Sequence, residues 1–282
     1  MDPFPGPLGR LRDPLLERDY VRLCARPSTF RNRCLAALLA GTIILLVYGV
    51  GSGSGGAPED LLGRAIHTTF TWAAALFAGG IAFAEGAVAI PTERATNTLV
   101  VLLTVPLSPR RLAAGFLLSR LLFAGTAVLA LVPIEGLALL LGGVSLGDLL
   151  LSLSTVATAA VYGAAMGVLA GNASETHRQA LGRGMAFVLF HAALLPGLFG
   201  AAAGILSLRH EGRIEEVRWI LEALGWCAGA AFFTTPLGPL FEATWGRIGG
   251  GLPLSPDWIH LGAAGTAVGL SLLAVRSAAV RL

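Results

Sequence analysis

Six apolar stretches, separated by shorter polar ones, organise this chain: residues 34–50, 68–90, 112–142, 150–171, 184–207 and 260–276. A helix needs about 20 mostly apolar residues to cross the hydrocarbon core of a bilayer. Each stretch is therefore read as one crossing. The first and last are short, but Arg side chains at their ends can snorkel to the interface. The third is over-long, so its first turns are expected to run along or below the membrane surface. The pattern predicts an all-α membrane protein with six transmembrane helices.

Three polar or mixed pieces interrupt this pattern. Residues 1–33 form an N-terminal region in which Asp13-Pro14 offers an N-cap followed by proline at the first helical position. Leu15, Leu16, Tyr20 and Leu23 recur near helical spacing after it, with Glu17, Arg18 and Arg22 between them. This predicts an amphipathic helix lying on the inner leaflet. The inner loop 91–111 is too apolar for a solvated linker, and Pro106 and Pro109 keep it from being one continuous helix. A short helix near 93–104 would set Leu99, Leu102 and Leu103 on one side. The outer segment 208–259 holds two apolar runs around Thr234 to Pro239, neither long enough to cross. A re-entrant hairpin, its backbone shielded by protein, fits it. Residues 34–282 are then a single six-helix membrane domain.

Composition agrees. The 282 residues are 55% apolar and 13% charged, with a mean hydropathy of +0.73, whereas soluble domains carry about a quarter charged residues. All 20 Lys-or-Arg positions are Arg. With the N-terminus inside, 15 of these 20 fall on inner segments, as the positive-inside rule requires. Both termini are expected in the cytoplasm, with no cleavable signal peptide at the start. Cys24, Cys34 and Cys227 have neither the number nor the spacing of a disulfide framework or a zinc site.

Few side chains are placed to do chemistry. The chain has no Lys, so it has no ATP-hydrolysing P-loop. Ser174, Glu175, Thr176 and His177 form a polar run read as a solvated turn. Ionisable residues inside the spans weigh more, because burying them costs free energy. Glu135 lies within the third span, just after Pro133; a substrate or proton path and an internal hydrogen bond that orders the bundle are both open readings. Glu85 in the second span and His191 in the fifth read first as structural. Gly163, Gly167 and Gly171 fall at i, i+4 and i+8, as do Gly200 and Gly204 at four apart, and such seams let helices approach closely.

The segment from Ile90 to Gly115 resembles the permease subunits of type-2 ABC (ATP-binding-cassette) exporters. Members there carry a Glu-Arg pair, Gly-Thr-Leu, a leucine run, and Thr-Pro-Leu-Ser-Pro. This chain has Glu93-Arg94, Thr98-Leu99, Leu102-Leu103-Thr104 and Pro106-Leu107-Ser108-Pro109. It departs at Asn97, where Gly is usual, and at Phe116, where Lys is usual. Asp13 to Arg18 is similar to the family's opening, with Asp19 replacing an apolar residue, and Gly142-Gly143-Val144-Ser145 is similar to a common turn after the third span.

The resemblance implies an amphipathic N-terminal helix, six spans, a cytoplasmic coupling helix between spans two and three, and an outer re-entrant hairpin before span six. It implies an export permease of the bacterial cytoplasmic membrane, without catalysis of its own. Such a permease works with a second copy or homologue and a separate cytoplasmic ATPase, which holds the ATP and magnesium; this chain needs no cofactor and no metal, and no nucleic-acid partner is expected. Glu93, Arg94, Thr98, Leu99, Leu102 and Leu103 would couple it to the ATPase, while Glu135, Glu85 and His191 are candidates for the translocation path. Two rival readings are a membrane-embedded enzyme acting on lipid, with Glu135 and His191 as acid and base, and a non-transporting scaffold.

Overall fold

The computed structural model describes residues 14–53, 59–98, 100, 104, 108–129, 132–194, 197–199, 201–202, 205–206, 217–224, 227, 234–239 and 256–281. Among these residues the regular structure is all helical. The main elements are α1 (Pro14–Cys24), α2 (Pro27–Gly53), α3 (Glu59–Ala95), α4 (Pro109–Leu129), α5 (Val132–Leu141), α6 (Leu146–Asn172), α7 (His177–Leu189), a π-helical turn (Phe190–Leu194) and α8 (Pro256–Arg281).

Local sequence explains where these helices start. Proline opens α1, α2, α4 and α8, a position where its missing N–H costs nothing and its fixed φ suits the helix. Ser145 caps α6 through a reciprocal box with Asp148, and the Thr176 side chain caps α7 by accepting from the Gln179 N–H. Such caps satisfy N–H groups that the first turn leaves unpaired.

Among the described residues, three helices are long and apolar enough to cross a membrane: Leu61–Ala95, Leu146–Asn172 and Leu261–Val280. The apolar stretch 68–90 thus lies inside a longer helix than its composition suggests, running through Pro91 to Ala95. The stretch 112–142 carries α4 and α5 on either side of residues 130–131, which lie outside the described residues. The expected start of a new helix near residue 93 is corrected: residues 93–95 still belong to α3, and helical backbone resumes at Thr98 after a turn at Thr96–Asn97.

The centre of the bundle is the contact between α3 and α6. The seam at Gly163, Gly167 and Gly171 lies against Gly79, Phe83 and Ala87, so close that a Cβ at any of the three would collide with a carbonyl oxygen of α3. Pro91 supplies no N–H to the Ala87 carbonyl, and that carbonyl is the one facing Gly171. Around the seam, Ala78, Ala82, Ile90, Phe116, Ala164 and Val168 are fully or almost fully buried. Small residues allow this approach, and dispersion along it holds helices together where lipid offers no hydrophobic driving force.

Three hydrogen bonds give the helix directions. Arg64 Nε, near the start of α3, donates to the Gly143 carbonyl just before α6 (2.9 Å). Arg94, at the end of α3, donates to the Ser174 carbonyl just after α6 (3.1 Å). Asn172, at the end of α6, donates to Ser277 near the end of α8 (3.3 Å). Helices α3, α6 and α8 therefore all run the same way.

Candidate functional site

The end of the bundle where α3 and α6 finish is rich in charge, and α1 docks onto it. Helix α1 packs along α4, and the side it buries carries Asp19 as well as Leu23 (each 2% exposed), whereas Val21 is 57% exposed. Its docked face is thus partly polar. The Asp19 carboxylate stands 3.6 Å from Arg120 Nη1 of α4, with both side chains buried. Arg120 Nε also donates to the Glu85 carbonyl of α3 (3.3 Å). Burial of a lone charge costs several kcal/mol; here an opposite charge and a carbonyl compensate for it.

Glu93, near the end of α3, is 3% exposed. Arg18 (3.4 Å) and Arg22 (3.3 Å) of α1 both reach its Oε1, and the Thr98 hydroxyl donates to its Oε2. A little over two helical turns earlier, Glu85 pairs with Arg26 (3.4 Å). Because Arg18 and Arg22 are 42% and 49% exposed, solvent screens their contribution, and their value lies in position more than in stability. On the other side, Arg94 holds the Ser174 carbonyl, Thr92 meets His177 at 3.1 Å, and Arg183 donates to the Ala173 carbonyl (2.7 Å). The run 174–177 is thus part of a strap between α3 and α7, with Ser174 buried within it.

The backbone turns between these ties. Asn97 has φ +56°, in the left-handed region open chiefly to Gly and Asn. Its N–H donates to the Arg94 carbonyl (3.1 Å), ending α3. Beyond it Val100 is 65% exposed. Leu99, Leu102 and Leu103 lie outside the described residues. Of the six residues expected to couple the chain to an ATPase, Glu93, Arg94 and Thr98 are therefore gathered at one junction.

The polar residues of the spans form separate clusters. Glu135, 2% exposed, lies against the His67 ring of α3, its Oε1 next to Nδ1. His191, in the π-helical turn, meets the Tyr162 hydroxyl of α6 (2.8 Å) and Thr234 of the outer segment (3.1 Å). Glu85 belongs to the charged end described above. Sequence reading did not pair Asp19 with Arg120 or Glu135 with His67. A signal existed for the first pair, since Arg120 is a charge within an apolar stretch and Asp19 departs from the family pattern. For His67 the signal was weaker, because it lies just ahead of the stretch 68–90.

No protein-family model and no curated protein matches the chain.

Proposed function

We propose that this chain is the membrane-spanning permease subunit of an ATP-driven exporter of the type-2 ABC kind, working with a separate cytoplasmic ATPase and a second permease. The observation that carries the reading is the junction at the end of α3. There Glu93 and Arg94 are tied to α1 and to the α6–α7 turn, and a left-handed residue redirects the chain into a segment with an exposed apolar side chain. This is also where the resemblance is densest. A push on that segment would be transmitted to α3 as a unit, and through the glycine seam to α6.

Six crossings are supported by the helix directions. Helices α3, α6 and α8 run the same way, so the chain must return between them. Helices α4 and α5 supply one return, the region beginning with α7 supplies another, and α2 precedes α3 as a third. Arg18, Arg22, Arg26, Arg94, Arg120 and Arg183 gather at the end where α3 and α6 finish, which the positive-inside rule makes cytoplasmic. Both termini then lie there, in the cytoplasmic membrane. A lipid-acting enzyme built on Glu135 and His191 has less support, because the two belong to different clusters.

The test is complex formation with the ATPase. Covering three leucines is worth roughly 5 kcal/mol, so Leu99→Asp combined with Leu103→Asp is expected to release the ATPase while the permease still inserts. Glu93→Gln is expected to retain the ATPase but to lose ATP-driven export. Full retention of the ATPase and of export by the double variant overturns the reading.

A further inference from the structure

Helix α2 contains Arg31 and Arg33 and no acid, and α4 contains Arg110, Arg111 and Arg120 and no acid. Both helices are thus cationic along their whole length. The carboxylates that reach this end of the bundle are engaged elsewhere. Asp19 pairs with Arg18 and Arg120, Glu85 with Arg26, and Glu93 with Arg18 and Arg22. Among the described residues, none of these acids meets Arg31 or Arg33.

Arg33 is the one set into a cluster. Its Nη2 crosses from α2 to the Thr126 hydroxyl of α4, and its guanidinium lies over the Phe123 ring, 5.8 Å from the centroid. The Thr126 hydroxyl donates in turn to the Phe123 carbonyl (2.8 Å). Tyr20 of α1 stands beside Arg33 and Thr126 and closes a third side. All these neighbours are neutral. Nε is buried without an acceptor, and Nη1 has no partner among the described residues but, unlike Nε, is not sealed off. A cation in apolar surroundings is costly until an anion meets it.

The position of Arg33 says which anion. From Arg33 to Gly53, where α2 ends, the helix rises about 30 Å, the thickness of the hydrocarbon core. Arg33 therefore stands at headgroup level when α2 crosses, on the side where Arg18, Arg22, Arg26 and Arg120 gather. Helix α2 packs on α3 and α1 packs on α4, and the Arg33 side chain bridges the interval between α2 and α4. One turn from each end of that bridge lie Phe30, 74% exposed, and Leu122, 43% exposed. The interval thus offers a cation at headgroup level and apolar surface beside it.

We propose that Arg33 binds the phosphodiester of an anionic phospholipid of the inner leaflet through the Nη edge of its guanidinium, with acyl chains against Phe30 and Leu122. The planar fork of a guanidinium matches two phosphate oxygens. A net-negative headgroup is favoured over a zwitterionic one, whose ammonium would sit among arginines. The site requires that α2 lie in the membrane and requires no ATPase, so it stands apart from the export reading.

The test uses the full chain purified in an uncharged maltoside detergent, with its thermal midpoint followed against added ligand. Short-chain phosphatidylglycerol is expected to raise the midpoint saturably. Short-chain phosphatidylcholine and free glycerol phosphate are each expected to bind at least tenfold more weakly, the first for its ammonium and the second for its missing acyl chains. These comparisons use the unaltered chain and hold whether or not a variant folds. Arg33→Gln, which keeps a donor for Thr126, is expected to weaken phosphatidylglycerol binding at least tenfold. Arg218→Gln, which removes an exposed charge paired with Glu222, is expected to leave it within twofold. Absence of a saturable response, equal binding of phosphatidylcholine or of glycerol phosphate, or equal losses in Arg33→Gln and Arg218→Gln overturns the proposal.

Discussion

At Asp19 an acid takes the place of the apolar residue usual in the permeases that this chain resembles, and the structure supplies the reason it is tolerated. The carboxylate is buried opposite Arg120, itself a charge inside an apolar helix. Neither residue explains itself in one dimension, because the pair is 101 positions apart and nothing local links them. Removing Asp19 leaves Arg120 buried without its opposite charge, with the Glu85 carbonyl and the Ser119 hydroxyl as its remaining hydrogen-bond partners, a loss of up to about 3–5 kcal/mol, whereas replacing both by apolar groups is often neutral. Asp19→Leu alone is therefore expected to destabilise the protein strongly. Asp19→Leu with Arg120→Leu is expected to recover most of that loss, measured by chemical unfolding in detergent. Additive losses in the double variant would mean that the two charges do not compensate each other. Asn97 is the contrasting case. Its departure from the family's Gly was legible in the sequence, and φ +56° shows a conformation that Asn, like Gly, can adopt.

Elements were more legible than sites, since apolar runs and caps are local and tertiary pairing is not. The glycine spacing at 163, 167 and 171 announced a close helix contact, and the structure identifies α3 as the partner. The continuation of α3 through Pro91 was not evident, because hydropathy reports membrane preference and does not mark where a helix ends. Pro91 is tolerated where a proline would ordinarily end a helix, and the α6 backbone packs on the carbonyl it leaves without a donor. If the seam holds the bundle together, a large side chain there must push two backbones apart. Gly167→Leu is expected to cost about 3 kcal/mol, the upper part of the range for overpacking. Gly265→Leu, at a position where an added Cβ meets nothing within 4 Å, is expected to leave the melting midpoint in detergent within a degree or two of wild type. Equal effects of the two substitutions would remove the seam from the account.

Over the whole molecule, charge and direction make one argument. The arginine split along the sequence divides the chain into two sides without saying how the helices pair. The hydrogen bonds from Arg64 to Gly143, from Arg94 to Ser174 and from Asn172 to Ser277 then fix which helix ends lie together. The two lines are independent, because one counts charges in loops and the other follows backbone geometry, and they group the same helix ends together. Of the expected outer segment 208–259, residues 217–224, 227, 234–239 and 256–259 are described, and the rest of it is the main part of the expected architecture left to direct measurement. In a chain freed of Cys24, Cys34 and Cys227, a single cysteine at Gly147 is expected to react with a membrane-impermeant reagent added outside intact cells. Single cysteines at Ser108 and Ser174, and a protease site after Leu282, are expected to be reached only after the cells are opened. The pair Gly147 and Ser174 is the decisive one, because α6 alone connects them. If both react from the same side, α6 does not cross, the shared direction of α3, α6 and α8 loses its meaning for the membrane, and the six-span permease falls with it.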